Sequence, residues 1–116
     1  MSRRKESPGL FVKLYQKART SGLLGKISSR NWKTLCVLAT YMNREGVCNP
    51  SQAQLAKDLG VSRSTVSRRI KDLTNFRFKG LPIIEISKDN RYFGGQHGAN
   101  VYVILKNSCL QIFDVS

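Results

Sequence analysis

The sequence predicts a mainly α-helical fold that is followed by one small antiparallel β-hairpin. Apolar residues recur with helical spacing between Trp32 and Leu73, and nearer the C-terminus they alternate with the period of two that is typical of strands. At 116 residues the chain is the size of one ordinary domain. We expect a flexible basic arm over 1–9, one folded domain over 10–106 and a C-terminal tail over 107–116, which packs on the core or leads into a further domain.

The first elements are predicted to be short. Residues 11–15 alternate apolar and polar side chains, which favours a short strand, and residues 16–24 favour a helical turn that Gly25 ends. A longer helix follows, because apolar residues recur at offsets of 3, 4, 7 and 10. These residues are Trp32, Leu35, Cys36, Ala39 and Met42. With an N-cap at Ser28 or Ser29 and a stop at Gly46, this core helix has roughly 14 residues.

Two further helices are predicted on either side of a tight turn. Ser51, with Gln54 three residues later, forms a capping box that begins the first of them. Gly60 ends that helix, because glycine tolerates the positive φ that a tight turn requires. Ser62 is the N-cap of the second helix, which runs to about Leu73.

The second helix of this pair has one apolar face and one polar face. Val66, Ile70 and Leu73 repeat at helical spacing and are expected to face the core, so the polar residues face outward. The candidate contact residues on this helix are Ser62, Arg63, Ser64, Thr65, Ser67, Arg68, Arg69 and Lys71. Short hydroxyl side chains beside guanidinium groups would let the helix lie close in a DNA groove that is ~12 Å wide.

Individual roles follow from the chemistry of these side chains. Arg63 or Arg68 could make a two-pronged contact with guanine O6 and N7, and the exposed serines could touch bases or phosphates. Thr65 and Lys71 suit phosphate oxygens. We therefore predict that this helix reads the major groove of double-stranded DNA.

The charge of the chain supports a polyanionic partner. Twenty Lys and Arg oppose seven Asp and Glu, which gives a net charge of +13 and a pI near 10.3. Nucleic acid and an anionic membrane surface are the two alternatives. Between Ser62 and Lys79 six basic residues oppose only Asp72. Since they cluster on a helix whose other face is needed for packing, DNA is favoured over a membrane.

Catalytic, metal and cofactor sites are not expected. The seven acidic residues are scattered, His97 is the single histidine, and there is no phosphate-binding loop. The separations of 12 and 61 residues between Cys36, Cys48 and Cys109 match no paired zinc pattern. No apolar run approaches the roughly 18 residues that span a bilayer, and the N-terminus lacks the apolar region of a signal peptide. We expect a cytoplasmic protein that is not an enzyme.

The segment 55–73 carries the pattern Ala-x-x-x-Gly-Val-Ser-x-x-Thr-Val-Ser-Arg, which strongly resembles the helix-turn-helix of bacterial regulators and initiators. Because a hairpin follows, the order of elements is that of a winged helix-turn-helix. The tip of the hairpin is then a wing that could reach an adjacent minor groove or phosphates. Its candidate contact residues are Lys88, Arg91, Tyr92 and His97.

A wider resemblance covers about residues 10–105. The chain is similar to the N-terminal winged-helix domain of plasmid and phage replication initiators of Gram-positive bacteria. The segments that carry this resemblance are Phe11-Val-Lys, Ser21-Gly-Leu-Leu, Trp32-Lys-Thr-Leu and Asn49-Pro-Ser-Gln-Ala-Gln-Leu-Ala. The family has Leu-Gly-Leu-Ile after its recognition helix, where this chain has the longer and more basic segment 75–83.

The resemblance implies an origin-binding domain that could form a homodimer and could meet replication proteins through a further C-terminal domain. Related domains also occur in transcriptional regulators, so a winged-helix repressor is the alternative.

Overall fold

The computed structural model describes residues 10–87 and 100–114, which contain five α-helices, seven β-strands and one 3-10 turn. In chain order the elements are β1 (Leu10–Leu14), α1 (Lys17–Thr20), α2 (Leu23–Lys26), α3 (Ser29–Ala39), β2 (Val47–Cys48), α4 (Gln52–Leu59), α5 (Arg63–Asn75), β3 (Arg77–Phe78), β4 (Leu81–Pro82), β5 (Ile84–Ser87), β6 (Val101–Ile104), the 3-10 turn (Lys106–Ser108) and β7 (Leu110–Asp114). No helix in these ranges is long and apolar enough to cross a membrane.

Three helices, together with the strands β5, β6 and β7, build the core. α3 packs against both α4 and α5, and α4 packs against α5. Each helix contributes a fully buried side chain, with Leu35 from α3, Leu55 from α4 and Val66 from α5 at 0% exposure. The core helix and the helix pair predicted from the apolar spacing are therefore confirmed.

The core helix is shorter than predicted. α3 has 11 residues and ends at Ala39 instead of reaching Gly46. The side-chain oxygen of Asn43 accepts hydrogen bonds from the backbone N–H groups of Glu45 (2.9 Å) and Val47 (3.0 Å), so the chain turns here. Met42 remains buried although it lies outside the helix, which explains why the apolar spacing continued past the true end.

A three-stranded antiparallel sheet lies beside the helices, in the order β2-β6-β5. The predicted hairpin supplies β5 and β6, with Ile84 opposite Ile104 and Ile86 opposite Tyr102. The third strand, β2, was not expected from the sequence, because its two residues are too few to show a periodic pattern. Cys48 of β2 is buried, and burial raises the pKa of its thiol to about 12.

The segment expected to be a C-terminal tail belongs to the fold. β7 pairs antiparallel with β1, with Leu14 opposite Leu110 and Val12 opposite Ile112. The folded domain therefore continues past residue 106, to at least residue 114. The sequence could not indicate this boundary, because β1 and β7 are almost a hundred residues apart and each strand is stable only through its partner.

Two other short elements differ from expectation. Two short helices, α1 and α2, replace the single helical turn predicted over 16–24, because Gly22 adopts a left-handed conformation between them (φ 94°). Gly25 lies inside α2 and does not end it. The long segment 75–83 contains the β3–β4 hairpin, whose turn residues Lys79 and Gly80 both have positive φ (53° and 81°), as a type I′ turn requires.

Two turn glycines provide a test of this packing. Gly46 and Gly60 both have positive φ (84° and 71°), so alanine at either position costs about 1–2 kcal/mol. At Gly46 an added Cβ would also lie 2.6 Å from the backbone oxygen of Ile104, whereas at Gly60 it would meet open space. We expect Gly46→Ala to lower the free energy of unfolding by more than Gly60→Ala, as measured by urea denaturation. Equal losses would contradict the close approach of Gly46 to β6.

Candidate nucleic-acid interface

The turn between α4 and α5 is held by backbone hydrogen bonds. Gly60 has the left-handed conformation that was predicted for it, and the N–H of Val61 donates to the carbonyl oxygen of Ala56 at 3.0 Å. A bond across six residues with a left-handed glycine inside it is a Schellman ending. It turns the chain sharply, so that α5 begins immediately after α4.

The two helices begin as the sequence predicts. At the start of α4, Ser51 Oγ accepts from the N–H of Gln54 (3.1 Å) and Gln54 Oε1 accepts from the N–H of Ser51 (2.8 Å), which completes the capping box. At the start of α5, Ser62 Oγ accepts from the N–H of Thr65 at 3.2 Å. Both N-caps satisfy backbone donors that the helix itself leaves without partners.

α5 presents one face to the core and the other to solvent. Val66 and Leu73 have 0% exposure and Ile70 has 5%. Six of the eight candidate contact residues predicted here are exposed. They are Ser62, Arg63, Ser64, Ser67, Arg68 and Lys71. Thr65 and Arg69 are half-buried at the border between the two faces.

A chain of hydrogen bonds links the first two turns of the exposed face. The Ser62 hydroxyl donates to Thr65 Oγ1 at 2.9 Å, and the same oxygen accepts from Arg68 Nη2 at 3.2 Å. Ser64 Oγ lies 3.1 Å from Ser62 Oγ. The Thr65 hydroxyl thus orients the Arg68 guanidinium along the helix. The other N–H groups of this guanidinium can donate to a ligand.

Sequence reasoning missed Gln52, which the tertiary structure brings to this face. Gln52 is the first residue of α4, and its Oε1 accepts from Ser67 Oγ at 3.5 Å. The start of α4 therefore lies beside the middle of α5. The two residues are 15 positions apart, and only the angle between the helices decides that they meet. The position of Gln52 directly after an N-cap was the one local signal.

Two charged side chains on or next to α4 and α5, those of Arg77 and Asp58, make hydrogen bonds within the protein. Arg77 Nη1 donates to the backbone oxygens of Thr74 (2.7 Å) and Phe76 (3.1 Å), so its charge caps the end of α5. On α4, the carboxylate of Asp58 accepts a hydrogen bond from the Tyr41 hydroxyl, which raises the pKa of Tyr41. Lys79 is exposed at the β3–β4 turn.

The remaining site predictions lie outside the described residues. Lys88, Arg91, Tyr92 and His97 belong to the segment 88–99 that connects β5 to β6, and the basic arm over 1–9 is likewise not described. Within 10–87 and 100–114 there is no group of three or more His, Cys, Asp or Glu side chains placed to hold a metal ion.

Comparison with known proteins agrees with the geometry. Residues 26–78 match a family described as a helix-turn-helix domain. This range includes α3, β2, α4, α5 and β3. No curated protein and no solved structure matches the chain. Over the matched residues, sequence similarity and geometry therefore both support a helix-turn-helix domain, a class of domain that binds DNA through its second helix.

The Ser62 hydroxyl caps α5 and also contributes to the orientation of Arg68. A comparison of Ser62 with Ser64, whose exposed hydroxyl caps nothing, tests this capping role. We expect Ser62→Ala to lower the free energy of unfolding by about 1 kcal/mol, because the N–H of Thr65 loses its acceptor. Ser64→Ala removes a hydroxyl that caps nothing and should change stability little. Thermal denaturation followed by circular dichroism measures both. A similar loss in the two variants would contradict the assigned cap.

Proposed function

We propose that this chain binds double-stranded DNA in a sequence-specific manner, with α5 lying in the major groove. The observation that carries the proposal is that α5 has one buried apolar face and one exposed polar face. The inner face is fully buried, so it fixes the rotation of α5 about its axis. The outer face then presents arginine, lysine and short hydroxyl side chains to solvent. A major groove ~12 Å wide admits a helix with such a face.

The proposed contacts divide into base reading and phosphate binding. Arg68 and Arg63 are proposed to read guanine through two parallel hydrogen bonds, and Ser64 and Ser67 allow the helix backbone to approach the base edges. Lys71 is proposed to bind phosphate. Because the Thr65 hydroxyl accepts from Arg68, we assign Thr65 to the orientation of that arginine as well as to the phosphate contact predicted for it.

The hairpin is proposed to be a wing that adds a second contact. β5 and β6 are paired as the two arms of a hairpin, and β6 is anchored in the middle of the three-stranded sheet. The connecting segment 88–99 contains Lys88, Arg91, Tyr92 and His97. We propose that these side chains meet an adjacent minor groove or its phosphates.

For the biological process, we propose that the domain is non-enzymatic and binds the origin of a plasmid or phage as part of a replication initiator. The resemblance over residues 10–105 supports this choice. A homodimer and contacts with replication proteins belong to the same proposal. A transcriptional regulator of the winged-helix class is the alternative, since the same helix and wing would serve it equally.

Selection of bound duplexes from a random pool tests this function. Repeated direct or inverted copies of the selected site near the gene itself would support an origin-binding role, whereas sites that only overlap promoters would support the regulator. The arrangement of half-sites would also report the symmetry of the bound protein. A pool with no enriched sequence would overturn sequence-specific binding.

Arg68 should govern base preference. The side chain is exposed and its one described partner is Thr65, so Arg68→Ala should leave the fold intact. We expect it to lose about 1–3 kcal/mol of binding to the selected duplex and to relax the preference at one base pair. Arg19→Ala, at an exposed position of α1 outside the helix-turn-helix, makes the same charge change as a control. If both variants behave alike, Arg68 contributes only its charge.

Arg91 should contribute affinity without preference. If the wing binds phosphate, Arg91→Ala should weaken all duplexes to a similar extent and lower the slope of log affinity against log salt by about 1. Fluorescence anisotropy of a labelled duplex across a range of salt concentrations measures both quantities. An affinity and a slope equal to those of the unmodified chain would argue against a wing that contacts DNA.

A further inference from the structure

A second surface, outside the helix-turn-helix, carries exposed aromatic side chains. In the two-stranded sheet of β1 and β7, Phe11 lies opposite Phe113 and Lys13 lies opposite Gln111. Because side chains alternate along a strand, these residues and Tyr15 point away from Val12 and Ile112, which pack against the core. We call this surface the aromatic face. It consists of Phe11, Lys13, Tyr15, Gln111 and Phe113.

The rings of the aromatic face are held in place but are not covered. Phe11, Tyr15 and Phe113 are 46%, 42% and 43% exposed. The ring centroids of Phe11 and Phe113 are 4.9 Å apart, and the Tyr15 hydroxyl donates to the side-chain oxygen of Gln111. Three large aromatic side chains on one small sheet leave a sizeable apolar area in water, which usually marks a binding surface.

A cation lies among the rings. The ammonium nitrogen of Lys13 is 5.1 Å from the centroid of the Tyr15 ring and 5.5 Å from that of Phe113. Alternation of aromatic and basic side chains along one strand provides flat surfaces for stacking and positive charge at the same place.

Three further lysines form a cluster, and two of them adjoin the aromatic face. Lys17, Lys79 and Lys106 line one hollow of about 190 Å³, and none of the described residues around it is acidic. Lys17 and Lys106 also line a wider, open hollow together with Tyr15 and Gln111. This lysine cluster therefore continues directly from the aromatic face. It also reaches the β3–β4 turn, which follows α5 along the chain.

We propose that the aromatic face and the lysine cluster bind single-stranded nucleic acid. Unpaired bases stack on Phe11, Phe113 and Tyr15, and the phosphates that follow them lie along Lys13 and the lysine cluster. A duplex does not fit this surface, because its bases are stacked on one another and hide the faces that the rings would contact. The inference goes beyond duplex recognition by α5 and does not depend on it.

Charge favours this ligand over a second copy of the chain. Each copy carries a net charge of +13, and an interface on this sheet would bring two lysine clusters near each other. A strand of phosphates neutralises the same lysines and releases counterions. The polyanion is therefore the occupant that suits both the rings and the lysines.

Binding of a labelled oligothymidylate of about 16 nucleotides, followed by fluorescence anisotropy, tests the proposal. Phe11→Leu and Phe113→Leu keep an apolar side chain in the sheet but remove the flat ring. Each should weaken single-strand binding about tenfold. Photocrosslinking of the unmodified chain to an oligonucleotide with 5-iodouracil should attach the base to one of the three rings, a result that does not depend on how a variant folds.

The lysine cluster has its own matched control. Lys17→Gln with Lys106→Gln should lower the salt slope of single-strand binding by about 1.4, since each phosphate contact contributes about 0.7. Lys33→Gln with Lys57→Gln removes the same charge from exposed positions of α3 and α4 that line neither hollow, and should leave that slope nearly unchanged. Equal effects of the two pairs would overturn the assigned phosphate contacts.

The double variant Arg63→Ala with Arg68→Ala distinguishes binding at the aromatic face from binding at α5. We expect the pair to weaken duplex binding and to leave oligothymidylate binding unchanged. If both fall together, single strands bind at α5 and the proposal is wrong. Sedimentation of the two phenylalanine variants gives the other decisive outcome. If they convert a dimer to a monomer while oligothymidylate binding persists, the aromatic face is an interface between copies of the chain.

Discussion

The packing of the buried side of α5 against α3 and α4 orients the outer surface of the helix-turn-helix. Val66, Ile70 and Leu73 lie against the core that α3 and α4 build, and burial of each such side chain contributes roughly 1.5–3 kcal/mol. Because three apolar residues on one stripe of α5 are buried, a rotation of the helix about its axis would expose them. The orientation of every polar residue on α5 is thus a consequence of this packing.

Local hydrogen bonds at the start of α5 place the side chains on its outer face. The Schellman ending of α4 sets the angle at which α5 leaves the turn, and the Ser62 cap fixes its first turn. The same Ser62 hydroxyl continues through Thr65 to Arg68, so the cap of the helix and the placement of a candidate base-reading arginine share one hydrogen-bond chain. Stability and the proposed recognition are coupled at the start of α5.

The two strand pairs serve different purposes around this core. The β2-β6-β5 sheet anchors the arms of the hairpin, with β6 held on both sides. The β1–β7 pair joins two segments that are far apart in the sequence. It covers the core with Val12, Leu110 and Ile112, but its aromatic rings remain exposed to solvent. The domain therefore has two chemically distinct outer surfaces. One is a helix with arginines and hydroxyls, and the other is a small sheet with rings and lysines.

The helix-turn-helix and most of its candidate contact face could be predicted from local signals in the sequence. The capping box, the left-handed Gly60, the cap at Ser62 and the spacing of Val66, Ile70 and Leu73 are local features, because each involves residues within one or two helical turns. Three other features became visible only in the folded chain: Gln52 contacts Ser67, Cys48 belongs to a strand, and β7 pairs with β1. These features join distant segments. A local pattern does not show which distant segment will lie against it, and the pairing becomes favourable only when the core has brought the segments together.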